Sequence, residues 1–302
     1  MNKKSNDNEL VKNFVFESEL ELNNVFKCRS NDLYVKLSNI LNIFHDEKLS
    51  TSHFNNSTGM GLDDISRDKI DNIYAKLFQA ERAAVRMQFV SGTHAIGSVL
   101  FGLLRPGDMM LSVTGNPYDT LEEVIGLRKK GQGSLIDFGI RYKQIDFREN
   151  NNFDNQLREI ILKKSCKLVF IQKSCGYTWR RSLNAKDIQK ICNLVHSIDK
   201  NCICFVDNCY GELVEEQEPT AYGANIVAGS LIKNLGGTIV PTGGYVVGDQ
   251  ELVELACCRL TSPGIGSKAG IHYGLSRTIL QGLFLSPQMI YESLNCADLI
   301  AS

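Results

Sequence analysis

Residues 202–207 read Cys202-Ile203-Cys204-Phe205-Val206-Asp207, and residues 225–230 read Asn225-Ile226-Val227-Ala228-Gly229-Ser230. Each is a short run, apolar at consecutive positions, that ends on a polar side chain. A strand with one wet face alternates apolar and polar residues, so a run without alternation belongs to a strand covered on both faces. Lys167-Leu-Val-Phe-Ile171, Met109 to Val113 and Tyr245-Val-Val247 repeat the pattern. A helical stripe, Ile188, Ile191, Cys192, Val195 and Ile198, stands between two of these runs, with Asn184 at its cap position and Asp187 three residues on. Strands alternating with helices give the α/β class, a mainly parallel sheet covered by helices on both faces.

The chain has 302 residues, 43% of them hydrophobic, which suits one large or two modest domains and excludes disordered and fibrous classes. With 33 basic against 34 acidic side chains it lacks the basic excess that nucleic acid or an anionic membrane would require, so neither is expected as a partner. The 10 cysteines contain no Cys-x-x-Cys pair and several sit in apolar runs, so they read as reduced, buried thiols. Cys192 and His196, at i and i+4, lack two further ligands at a metal-site spacing, and no metal is expected. Met1 to Leu10 is polar with no apolar leader core, and a cytoplasmic location is expected.

Residues 1 to about 50 read as an arm or helical lead-in. Asp63 to Met87 carries Ile65, Ile70, Ile73 and Leu77 at helical spacing and leads into a short apolar run, Met87-Gln-Phe-Val90. Ala95 to Leu104 reads as a buried helix stopped by Arg105-Pro-Gly-Asp108. Gly264 to Gly270 reads as a turn before a helix, and Glu215, Glu216 and Glu218 as a solvated loop. Trp179, between Tyr177-Thr and Arg180-Arg181, suits a surface turn and an approach to the site equally.

In open parallel sheets ligands bind outside the carboxyl ends of the strands. After Val90 come Ser91-Gly92-Thr93-His94, small donors at a helix start that favour a phosphate. His94 itself reads as a helix cap or a contact at a cofactor's edge. After Val206 comes Asp207, after Ala228 comes Gly229-Ser230-Leu-Ile-Lys233, and after Val113 comes Thr-Gly-Asn-Pro-Tyr118. Each alone has a bland reading as a cap, a turn or a solvated charge. Together they form a phosphate cup, an acid for a pyridinium nitrogen, a lysine for a Schiff base and an aromatic to lie on a ring, the set that pyridoxal phosphate requires. A nucleoside-triphosphate loop is excluded because Ser98-Val99 stand where Lys-Ser/Thr is needed after Gly92 to Gly97, and Gly264-Ile-Gly266 lacks the spacing and the preceding strand of a dinucleotide site.

Val90-Ser-Gly-Thr-His-Ala-Ile, Leu111-Ser-Val-Thr-Gly-Asn-Pro-Tyr-Asp-Thr, Cys204-Phe-Val-Asp-Asn-Cys-Tyr-Gly-Glu and Ala228-Gly-Ser-Leu-Ile-Lys-Asn resemble the bacterial methionine gamma-lyase-like family, also called aluminium resistance proteins. The resemblance runs from about Ser57 to the C-terminus. It implies a fold type I, pyridoxal-phosphate-dependent transferase-like architecture and a carbon–sulfur lyase acting on a sulfur amino acid such as methionine or a cystathionine-like substrate. By position it implies Lys233 as the internal-aldimine lysine and Tyr118 as the stacking residue, the two catalytic groups. It implies Ser91, Gly92, Thr93 and Ser230 around the phosphate, Asp207 at the ring nitrogen, and Arg67 as a candidate to reach a phosphate in a neighbouring subunit. A homodimer or homotetramer with sites at the subunit interface is implied as well. Met60 and Leu62 stand where the family pattern has aromatic residues, Cys175 where it tends to have Arg and Leu235 where Pro is usual. The resulting division is an N-terminal arm at 1–56, a large cofactor-binding domain at 57–262 and the start of a small C-terminal domain at 263–302, that last domain being expected to be truncated at Ser302. Another reaction of the same cofactor, such as transamination, and a catalytically inactive member are the alternative expectations.

Overall fold

In a computed structural model of the chain, the residues described are 2–55, 62, 64–129, 131–148, 152–164 and 166–302. A long helix, α1 (Asn2–Asp46), leads to α2 (Ile65–Leu77), β1 (Arg82–Arg86), α3 (Gly92–Leu103), β2 (Met109–Ser112), α4 (Asp119–Ile125) and β3 (Arg141–Gln144). There follow α5 (Phe153–Lys164), β4 (Cys166–Gln172), α6 (Ala185–Ile198), β5 (Ile203–Asp207), β6 (Ile226–Ser230), β7 (Gly244–Gly248), α7 (Gln250–Leu260) and α8 (Ser276–Ala301). The strands form one sheet in the order β1-β7-β6-β5-β4-β2-β3. From β3 through β2, β4 and β5 to β6 all neighbours are parallel; β7 runs antiparallel to both β6 and β1.

The unalternating runs do bury both faces. Val169, Ile171, Cys204, Val206 and Val227 pack on one side with Ile73, Ile188 and Leu283. Their neighbours Leu168, Phe170, Phe205, Ile226 and Ala228 pack on the other with Ile96, Val99 and Val253. The cap read at Asn184 is a reciprocal box: Asn184 accepts from the Asp187 N–H at 2.9 Å, and Asp187 accepts from the Asn184 N–H at 3.0 Å.

Two stretches differ from the sequence reading. The helix expected through Met87 ends at Leu77, where Phe78 and Gln79, the latter at φ 52°, turn the chain out of it. The strand β1 that follows is flanked by Arg82 and Arg86, which disguised it. Arg86, 1% exposed, is tolerated because its Nη1 donates to Asp71 Oδ1 at 2.7 Å and its Nη2 to the Ser267 carbonyl at 2.9 Å. The N-terminal arm is a continuous helix tied to the C-terminal one: Arg29 donates to Asn295 at 3.0 Å and pairs with Asp298 at 2.5 Å. Met60 lies outside the described residues, and Leu62 is exposed. Among the described residues no helix is long and apolar enough to cross a membrane.

Candidate active site

The carboxyl ends of β4, β5 and β6 and the start of α3 converge on one cavity of about 640 Å³, lined by Ser91, Gly92, Thr93, Tyr118, Asp207, Ser230 and Lys233 among others. That volume is ordinary for a small-molecule or cofactor site. All seven residues singled out in the sequence are therefore in one place. Asp207 is the last residue of β5 and is buried; its Oδ1 accepts the Cys209 N–H at 3.0 Å. Burial pushes its carboxyl above the usual range, opposed by the hydrogen bonds from Cys209 and by the charge of Lys233.

Ser91 caps α3, its Oγ accepting the His94 N–H at 3.1 Å. The N–H groups of the first turn of α3 have no partners within the helix and carry its positive dipole end. A side chain at Gly92 would stand 3.0 Å from Ser230 Cβ and 3.2 Å from Cys209 Sγ, so only glycine lets this helix start come so close to the end of β6. Thr93 Oγ1 is 3.1 Å from Tyr118 Oη, and the Tyr118 N–H donates to Gln172 Oε1, at the tip of β4, at 3.2 Å. Burial, reinforced by Asp207, holds the Tyr118 phenol protonated well above its ordinary range.

Lys233 follows β6 in a tight turn. Its burial works against the charged form, but Cys209, Tyr210 and Asp207 outweigh that and raise the amine's pKa. Tyr210 puts its ring centroid 4.0 Å from Lys233 Nζ. Tyr210 has φ 68°, a backbone conformation that costs a bulky residue of order 1–3 kcal/mol. Glu212 is fully buried; its Oε1 accepts from Tyr245 Oη at 2.7 Å, its carbonyl accepts from Asn234 Nδ2 at 2.9 Å, and burial pushes its carboxyl up to about 8. Sequence reasoning missed Cys209, Tyr210, Glu212 and Gln172 as parts of the site. Cys209, Tyr210 and Glu212 stand in the Cys204–Glu212 stretch that carries the resemblance, and Gln172 directly follows the apolar run that ends at Ile171.

The Glu215–Glu218 stretch is not the solvated loop expected. Glu218 is buried and accepts from Asn208 Nδ2 at 2.7 Å and from the Leu213 N–H at 2.8 Å. Glu215 accepts from the Ala185 N–H at 2.8 Å and lies 3.0 Å from Lys173 Nζ, while Glu216 is exposed. Glu218 clamps the loop that carries Cys209 and Tyr210, and Glu215 ties the chain just after it to the start of α6. Arg67 is turned into its own chain, donating to the Lys268 carbonyl at 2.8 Å and to Asp68 at 3.0 Å. His94 lies outside the cavity and accepts the Val90 N–H on Nδ1 at 3.3 Å. Trp179 is on the surface, and Cys175 lines the cavity. Cys192 is in the core and His196 pairs with Asn225 at 3.0 Å; among the described residues no three His, Cys, Asp or Glu side chains cluster as a metal site.

YnbB of Bacillus subtilis, an uncharacterized protein, is 43% identical over 290 residues, which are 96% of this chain and 69% of YnbB. The crystal structure of a carbon-sulfur lyase involved in aluminium resistance from Clostridium novyi superposes with a TM-score of 0.92 at 45% identity, covering 97% of this chain and 71% of that one. The pyridoxal-5'-phosphate-dependent protein YhfS of Escherichia coli, at 18% identity over 87% of this chain and 66% of its own, has a TM-score of 0.66 and shares the fold. A family model described as methionine gamma-lyase matches residues 11–302, and the chain belongs to that family, with a fold type I architecture.

Proposed function

We propose that this chain is a carbon–sulfur lyase that uses pyridoxal phosphate to cleave a sulfur amino acid, methionine or a cystathionine-like thioether. The observation that carries the reading is the convergence of Lys233, Asp207, Ser230, Tyr118 and the start of α3 on one cavity. The donor set fits the cofactor. The N-terminal turn of α3 with the Thr93 and Ser230 hydroxyls suits a phosphate, and the close approach that Gly92 permits forms its cradle. Asp207, buried and raised in pKa, would gain a close counter-charge from a protonated ring nitrogen.

When bound, pyridoxal phosphate supplies an electron sink for a carbanion at the substrate Cα. Asp207 would keep the ring nitrogen protonated. Lys233 would carry the cofactor through Nζ and, once released by the substrate's amino group, take the Cα proton. Tyr118 would lie on the ring, and its phenol, protonated in the buried site, would give a proton to the departing sulfur. With one water taken up to hydrolyse the imine left after the thiol departs, the products are a thiol, a keto acid and ammonia. The reading includes a homodimer or homotetramer, and the exposed Leu10, Phe14, Phe16 and Leu20 of α1 offer a partner copy an apolar surface.

The test is to supply the cofactor-loaded protein with methionine and with cystathionine and to assay thiol and keto acid together. Release of both supports the lyase. Keto acid without thiol would assign amino-group transfer instead, and neither product from either substrate would overturn the reading.

A further inference from the structure

We propose that Tyr210 is a positioning residue whose ring seats the Lys233 amine at the edge of the cavity whenever that amine is free of cofactor. The proposal rests on Lys233 being the functional amine of the site. Nζ stands 4.0 Å from the ring centroid, well within the range of attraction between a cation and an aromatic face. The ring is not there because it is buried, since Tyr210 is 62% exposed. It is there because the backbone is held at φ 68°, and the loop fixes that conformation from both sides. On one side the Cys209 N–H donates to Asp207 at 3.0 Å; on the other the Gly211 N–H donates to the Asn208 carbonyl at 2.7 Å and Asn234 donates to the Glu212 carbonyl at 2.9 Å. An unfavourable conformation clamped this way has a local use.

Tyr210 and Lys233 together border both the main cavity and a second hollow of about 300 Å³ against α8. The titratable groups facing Lys233 are Asp207, Cys209, Tyr210 and Glu212. From the other side α8 contributes Met289, Ile290, Ser293 and Leu294, none of them charged. A lysine has a long, flexible stem, and once detached from a cofactor nothing covalent would aim it. The aromatic seat keeps it between the two hollows.

The test labels the cofactor-free protein with trinitrobenzenesulfonate across a pH series and reads Lys233 by peptide mass spectrometry. Tyr210→Asn removes the ring while suiting the left-handed backbone, and Tyr210→Phe keeps the ring. In Tyr210→Asn the midpoint of the pH profile is expected to fall by roughly 0.7 of a pH unit, or about fivefold faster labelling at a fixed pH below it. Tyr210→Phe keeps the ring but loses the phenol's charge, which also favours the protonated amine, so its midpoint should fall between those of wild type and Tyr210→Asn. Mere unmasking of the amine would raise the plateau without moving the midpoint, and an unmoved midpoint in Tyr210→Asn overturns the proposal. Adding pyridoxal phosphate to the wild type tests the underlying reading separately: protection of Lys233 supports it, and no protection counts against it whatever the Tyr210 comparison gives.

Discussion

Tyr245 Oη donates a hydrogen bond to Glu212 Oε1 at 2.7 Å beneath the β6 backbone, where a side chain on Gly229 would land on that hydroxyl and within 2.7 Å of the carboxyl oxygen. The pair therefore supports the strand end that presents Ser230 and Lys233. Among the described residues the other Glu212 oxygen, Oε2, has no hydrogen-bond partner, so no donor stabilises a negative charge at that atom.

Glu212 makes the fold pH-dependent with a definite sign. Burial raises its carboxyl from the ordinary 4.5 to about 8, so between those values the native state holds a proton that the unfolded chain has released. Its stabilising share is complete below the unfolded value and is lost as pH rises through about 8, by at most about 1.4 kcal/mol per pH unit. Urea unfolding of the wild type and Glu212→Gln at a series of pH values between these limits should show a shallower decline in the variant. Equal slopes would place the ionised carboxylate in the native state.

Gly92→Ala should weaken cofactor binding while leaving the fold nearly intact. The added methyl meets Ser230 Cβ at 3.0 Å and Cys209 Sγ at 3.2 Å, so α3 must retreat by a few tenths of an ångström from the strand end it faces. In the helix itself alanine is the better residue. A titration with pyridoxal phosphate is expected to give about tenfold weaker binding, of the size of one misplaced charged hydrogen bond, and a melting temperature within a few degrees of wild type.

The Asp71–Arg86 pair is a structural pin outside the site. Arg86 and Asp71 are both almost fully buried, and Asp71 Oδ1 also accepts the Val85 N–H at 2.8 Å. Asp71→Ala leaves the guanidinium buried with only carbonyl partners and should cost about 3–5 kcal/mol in denaturant unfolding. Replacing both residues with apolar ones of similar volume should restore a good part of that loss.

The parallel centre of the sheet was legible because β4, β5 and β6 are apolar on both faces, a pattern that only double burial explains. The edges were not. β3 is Arg-Tyr-Lys-Gln with half-exposed side chains, as an edge strand can be, and β1 hides behind an arginine whose charge Asp71 neutralises from another element. In the site, Asp207 and Lys233 were legible because they follow strand ends. Tyr210 and Glu212 were not, because their roles depend on a left-handed backbone and on contacts with Lys233 and Tyr245, neither of which a linear pattern displays. Glu218 reads as one of a run of surface acids until the loop folds it onto Asn208.

The most direct test of the central claim is the absorbance spectrum of the purified protein, with pyridoxal phosphate added, beside that of Lys233→Ala treated identically. The account predicts a visible band from lysine-bound cofactor in the wild type that is absent from the variant. No band in the wild type, or the same band in both proteins, would contradict it.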